Sequence, residues 1–137
     1  QMLKQNIGID VTLENMESGV FGEKAKALEF QFFRSSFLAD YADPINYLES
    51  FQTGHSMNRT GWSNAKYDEL IKAAKAEADE AKRFAALYEA EKILMDETPI
   101  IPVHFYNQSY LVSEKVTGLV YHPVGFLELK WADKKME

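Results

Sequence analysis

Hydrophobic and polar positions change their period along this chain, and each change predicts an element. Residues 1–7 are helix-prone and end at Gly8, a residue suited to a C-terminal cap. In IDVTLE, residues 9–14, apolar Ile9, Val11 and Leu13 alternate with polar Asp10, Thr12 and Glu14, which predicts a half-buried strand. A short helix is expected over 16–26, although Gly19 and Gly22 weaken it. LEFQFF, residues 28–33, reads as a second strand with Leu28, Phe30 and Phe32 on one face. Strand, helix, strand implies a parallel βαβ unit.

The next elements announce themselves by their caps. Asp43-Pro44 has the chemistry of a helix start, with Asp as N-cap and Pro at the first helical position. That helix is expected to run to about Thr53 and stop at Gly54, before a polar loop, GHSMNRTG. Ser63 or Asn64 caps another helix, whose buried stripe is Tyr67, Leu70, Ile71 and Ala74. Asp79 caps a further one, with Phe84, Leu87, Tyr88, Glu91, Leu94 and Met95 at helical spacing. The stretch 65–97 is therefore read as two helices broken near Ala78. From Ile100 the period changes again. IIPVHFY reads as a strand that tolerates Pro102 near its start or at an edge, SYLVS continues it, and LELKWA is a last short strand.

Composition narrows the class. The 137 residues suffice for one domain with a hydrophobic core. The formal charge of −6 argues against nucleic acid or an anionic membrane as partner, since both need clustered Lys and Arg. Cysteine is absent, which excludes thiol catalysis, thiolate metal sites and a disulfide framework. No apolar stretch approaches the ~20 residues that span a bilayer. QMLKQNIGID reads as the end of a helix and not as a leader, so the chain is expected to come from something longer.

ADYADPINYLESF, TGWSNAKYDELI, EAEKILMDETPIIPVHFY and YLVSEKVTGLVYHPVGFLELKW follow one another as in a known family. In that order and spacing the chain resembles the peptide-binding extracytoplasmic solute receptors of oligopeptide and dipeptide ABC importers, the solute-binding proteins of family 5. The resemblance covers nearly the whole chain but only the final part of a receptor several times longer. It implies an α/β (mixed α+β) chain from the second lobe of a two-lobed type II periplasmic-binding-protein fold. Residues 1–107 would be the late half of that lobe, and 108–137 a C-terminal tail that returns to the first lobe. It also implies peptide bound between the lobes by β-like backbone pairing, a membrane permease as partner, an extracytoplasmic or lipid-anchored location, and no cofactor.

The resemblance also assigns roles. In FLADYADP, Asp40 falls on the aspartate of the motif A-D-Y-x-[DE]-P that meets the α-amino group of the bound peptide. Every peptide carries that ammonium, so one carboxylate dried on lobe closure recognises the class without reading side chains. On residue chemistry alone, a turn role in which Asp40 bonds local backbone leads; the motif reverses that. Asp43 is sufficiently explained as a cap. Arg34 matches a cleft arginine that meets a peptide carboxylate in some receptors; otherwise it is a surface arginine or pairs with Asp40. Phe37 and Leu38 stand where the family often has a tryptophan and a small residue, either beside the ligand or in the core. Trp62 either faces the groove or packs on the lobe, the second being the better reading.

Other chemistry finds little support. Tyr67, Phe84 and Tyr88 are read as core residues. His55, His104 and His122 lack metal-ligand spacing, and no nucleophile is spaced to meet a base. The reading is thus a non-enzymatic binding lobe. The rivals are a different ligand in the same family (a signalling peptide, a nickel complex, haem or a sugar) and a protein-interaction module. With the first lobe missing, the tail is expected to dock on its own body or to exchange with a second copy.

Overall fold

The computed structural model describes residues 1–123 and 125–135. It divides into two compact units, one from Gln1 to Arg34 and one from Ser35 onward.

The first unit holds two helices. α1, Met2–Ile7, ends at Gly8, whose left-handed backbone (φ 72°) lets its N–H reach the carbonyls of Leu3 and Lys4, as expected. α2, Ser18–Lys26, forms despite its glycines because the Glu17 carboxylate accepts the N–H groups of Gly19 (2.8 Å) and Val20 (3.2 Å). Those same bonds hold the Glu17 carboxyl below its ordinary pKa, Gly19's being the largest cause.

The predicted βαβ unit does not form. Residues 9–14 form no helix or ladder, and Leu13 is 90% exposed. The segment 28–33 also lacks a ladder. Leu28 adopts a left-handed conformation (φ 58°) at the end of α2, and aromatic contact replaces pairing: the Phe33 ring lies edge-on to Phe30 (4.4 Å) and Phe21 (5.7 Å). Alternation marks a face to be buried. It does not supply the neighbouring strand that a ladder needs.

The core of the second unit is helical. α3, Ile45–Leu48, passes into a 3-10 turn, Glu49–Phe51, so the expected helix to Thr53 is shorter and tightens at its end. α4, Ala65–Ala76, is capped by Asn64, whose Oδ1 accepts the Tyr67 N–H at 3.0 Å. α5, Glu80–Glu97, is capped by Asp79, whose Oδ1 accepts the Lys82 N–H at 3.0 Å. The break near Ala78 is real. α5 closes at Thr98, where the following Pro99 disfavours another helical residue.

Ile45 and Leu48 of α3, Tyr67, Ile71 and Ala74 of α4, and Leu87, Ala90 and Leu94 of α5 form one buried cluster. The α4 stripe is the predicted one, with Leu70 at its margin. The α5 stripe is turned from the expected face onto Leu87, Ala90 and Leu94, with Ala86 and Ile93 beside it. Phe84 (42%) and Tyr88 (74%) are exposed, a correction to their reading as core. Small residues explain the turn: Ala74 and Ala90, both fully buried, let α4 and α5 approach closely where larger rings would hold them apart. Phe84 and Tyr88 instead line an apolar groove of about 440 Å³ with Pro44, Leu48 and Leu87.

After Ile100 the chain is mostly irregular and exposed. The strands expected at 100–106 and 109–113 are absent, with Phe105 98% exposed. The ladder forms later, from elements the alternation did not reveal. β1, Val116–Thr117, pairs antiparallel with β4, Asp133–Lys134, and β2, Val120–Tyr121, pairs antiparallel with β3, Leu127–Glu128. Of the predicted strand 127–132, only Leu127 and Glu128 are in a ladder. Gly118 sits between β1 and β2 at φ 73°, where a Cβ would lie 1.8 Å from the Trp131 carbonyl oxygen, so only glycine fits.

The Tyr67 hydroxyl donates to the Leu48 carbonyl at 2.6 Å inside this core. Tyr67→Phe keeps the ring but removes that bond. The expected result is a loss of about 1–3 kcal/mol, read by urea denaturation of the 137-residue chain. A loss below about 0.5 kcal/mol would show the bond to be dispensable.

Candidate functional site

The loop 37–44 leads into α3, and its two carboxylates have separate fates. Asp43 accepts the Ile45 N–H at 2.9 Å, which is the capping role read from the sequence. It also receives the Arg83 guanidinium, whose Nη2 donates to Oδ1 at 2.9 Å and Oδ2 at 2.8 Å. Arg83 projects from α5, so this ion pair staples the loop to the longest helix. Both side chains are largely buried, at 22% and 29% exposed. The guanidinium holds the Asp43 carboxyl below its ordinary range, with the Ile45 N–H adding to the effect against the cost of burial.

Asp40 is different. Its backbone N–H donates to the Asn46 side-chain Oδ1 at 2.8 Å, while its side chain is exposed. Among the described residues no hydrogen bond or ion pair engages the carboxylate. The chain is held on either side: Ala39 is buried, and Tyr41 donates its hydroxyl to Glu49 Oε1 at 3.2 Å. Glu49 in turn meets Lys75 of α4 at 2.7 Å, and that ammonium keeps the Glu49 carboxyl low. A free negative charge thus stands on a loop tied to α3, α4 and α5.

The other candidate residues divide. Phe37 is 37% exposed and packs tilted against Tyr47, ring centroids 5.1 Å apart, while Leu38 is 59% exposed. Both flank Asp40 in sequence, on the same loop. Trp62 packs into the lobe: its ring lies edge-on to Tyr67 at 5.0 Å, and its indole N–H donates to Glu97 at 2.6 Å. Asn64 donates to the other Glu97 oxygen at 2.7 Å. Arg34 is exposed and belongs to the first unit, whereas Asp40 belongs to the second.

Sequence reasoning passed over Asn46 and Arg83. Asn46 had a signal, since an asparagine in the middle of a helix needs a partner. Arg83 had none, because its partner lies forty residues away. Among the described residues no His, Asp or Glu cluster is arranged to hold a metal ion.

The helical core with its short antiparallel ladders matches solved substrate-binding proteins of the periplasmic-binding fold. The chain is homologous to the dipeptide- and oligopeptide-binding components of ABC transporters, as a segment of the larger protein. The dipeptide-binding protein DppE of Bacillus subtilis is 63% identical over 134 residues, 98% of this chain and 25% of that protein. The oligopeptide-binding protein OppA of the same organism is 36% identical over 126 residues, 91% of this chain and 23% of that one. The substrate-binding domain of an oligopeptide ABC transporter from Bacillus anthracis superposes with a TM-score of 0.83 at 29% identity, covering 98% of this chain and 27% of that one. The pheromone receptor PrgZ, solved for its mode of peptide binding, gives 0.81 at 30%, covering 98% and 26%. The chain therefore spans about a quarter of the length of the curated relatives it matches. No family model matches it.

The braces make a pH prediction. Asp43 and Glu49 have depressed pKa values in the folded state. Their stabilisation is complete above the unfolded carboxylate range, about pH 4, and drains as pH falls through the lower folded values. Thermal melts are expected to lose stability below about pH 4. Asp43→Asn should flatten that loss, and Arg83→Ala should lower the melting temperature at neutral pH. An unchanged acid profile in Asp43→Asn would remove the pair from the stability account.

Proposed function

We propose that this chain is part of the ligand-binding lobe of an extracytoplasmic receptor that delivers peptides to an ABC importer, with Asp40 meeting the peptide's α-ammonium. The observation that carries the reading is the Asp40 carboxylate, exposed and unengaged by any described residue while its own backbone is tied to Asn46. A ligand ammonium supplies the counter-charge that the protein withholds. Phe37 and Leu38 are placed to flank the first residues of the peptide; Trp62 acts through the lobe by bracing Tyr67; Arg34 is the candidate for a peptide carboxylate. The names of the relatives support peptide as the ligand class and binding, not catalysis, as the activity.

In this reading residues 1–107 belong to the second lobe, and 108–137 are a tail that packs on the first. Closure of the two lobes dries the ligand, and the closed form docks on the membrane permease. Among the relatives, MppA of Escherichia coli is named as periplasmic, which supports an extracytoplasmic location. The likeness to PrgZ favours, as a second reading, a signalling peptide in place of a nutrient one.

In the receptor-length protein, Asp40→Ala is expected to weaken peptide binding more than tenfold, within the roughly 2–5 kcal/mol span for losing one partner of a desolvated charge pair. Calorimetry showing unchanged affinity would take Asp40 out of the site. The isolated 137 residues hold one side of the groove and should bind peptide poorly. Micromolar or tighter binding would contradict a two-lobed site. Their exposed tail, with Leu111 fully open, favours exchange between copies, and sedimentation is expected to depend on concentration. A strictly monomeric profile counts against exchange.

A further inference from the structure

The Asp40 carboxylate is not aimed by its own contacts, since no described residue bonds it. Its direction is set by the backbone from which it projects. The group that fixes that backbone is the Asn46 side chain, whose Oδ1 accepts the Asp40 N–H at 2.8 Å. This N–H lies on the peptide plane that leads into the Asp40 Cα, so holding it restricts the direction in which the side chain leaves the chain.

Asn46 is unusual for its place. It is 6% exposed, in the middle of a four-residue helix. Asparagine is a poor helix former, and a buried amide must find partners for its polar atoms. An alanine would suit the helix better, and a leucine would add to the adjoining core. What asparagine supplies instead is an acceptor aimed six residues back at the loop. One buried side chain thus ties Asp40 to α3, while α3 itself is held by Ile45 and Leu48 in the core.

We infer that Asn46 is a positioning residue for ammonium recognition: it directs the Asp40 carboxylate without touching the ligand. The inference rests on the peptide-amine reading proposed above and adds to it a residue buried beneath the site. It requires that loss of Asn46 damage recognition of the free amine specifically. A purely structural asparagine would, when removed, weaken all ligands alike.

The test uses the receptor-length protein, titrated with tri-alanine and with N-acetyl-tri-alanine, which lacks the ammonium. Asp40→Ala is expected to abolish the preference for the free amine. Asn46→Ala is expected to narrow that preference about tenfold, near the upper worth of one lost hydrogen bond, with the acetylated peptide changed less than about twofold. Equal weakening of both peptides, or no change in either, overturns the inference while leaving the amine reading intact. If Asp40→Ala keeps the full preference, the amine reading itself fails and Asn46 falls with it. Should Asn46→Ala not fold, Asn46→Ser stays polar but is too short to reach the Asp40 N–H. The same narrowing is then expected, and its absence overturns the assignment.

Discussion

The second unit depends on a buried phenol. Tyr67 lies in the first turns of α4 with its ring fully covered, and its hydroxyl reaches the Leu48 carbonyl at the end of α3. That carbonyl lies where α3 passes into the 3-10 turn, and burial leaves it dependent on protein donors. Tyr67 satisfies it, and burial pushes the phenol's pKa well up, so the hydroxyl stays a donor. Trp62 closes over the ring edge, and Glu97 at the end of α5 holds the Trp62 indole and the Asn64 amide together. The start of α4, the end of α3 and the end of α5 therefore meet at one residue. α3, four residues long, is too short to exist without the others.

Fixing α3 fixes the loop before it. Asp43 and Asn46 grip that loop from the helix side, and Arg83 grips it from α5. The outcome is an asymmetry between two carboxylates three residues apart. Asp43 is paired with Arg83, whose Nη2 donates to both carboxylate oxygens, and becomes structure. Asp40 is denied any such partner and stays an available charge. If Asp40 meets a ligand ammonium as proposed, an Arg83 bonded to it would first have to be displaced, and most of the gain from the new ion pair would cancel.

What the sequence made legible were the interactions that close locally. Gly8, Asp43, Asn64 and Asp79 stand within four residues of the groups they cap, and each was readable as a cap. The α4 stripe was readable too, because its apolar residues are unambiguous. On α5 the aromatic rings drew the face toward Phe84 and Tyr88, whereas the packing selected Ala86 and Ala90, small residues whose value lies in closeness and not in hydrophobicity. The Asp43–Arg83 pair spans forty residues and leaves no local trace. The carboxylate of Asp40 was legible only through its resemblance to a family motif; its chemistry alone gave a turn.

The misread strands have a common cause. IDVTLE alternates as strands do and IIPVHFY is a mostly apolar run, yet Leu13 and Val103 stand 90% and 83% exposed. Alternation records the environment a segment is suited to, while a ladder requires an adjacent edge at the right register. β1 to β4 formed because both partners lie within twenty residues of one another and Gly118 lets the Trp131 carbonyl come close. The relatives are about four times as long as this chain and have further polypeptide with which to cover such faces. The same logic applies to the Asp40 carboxylate. In water a single exposed ion pair is worth little, ~0–1 kcal/mol; only a second wall that excludes solvent raises it to a determinant of binding. Helices here brace the charge, and in the proposed role its strength would be set by what closes over it.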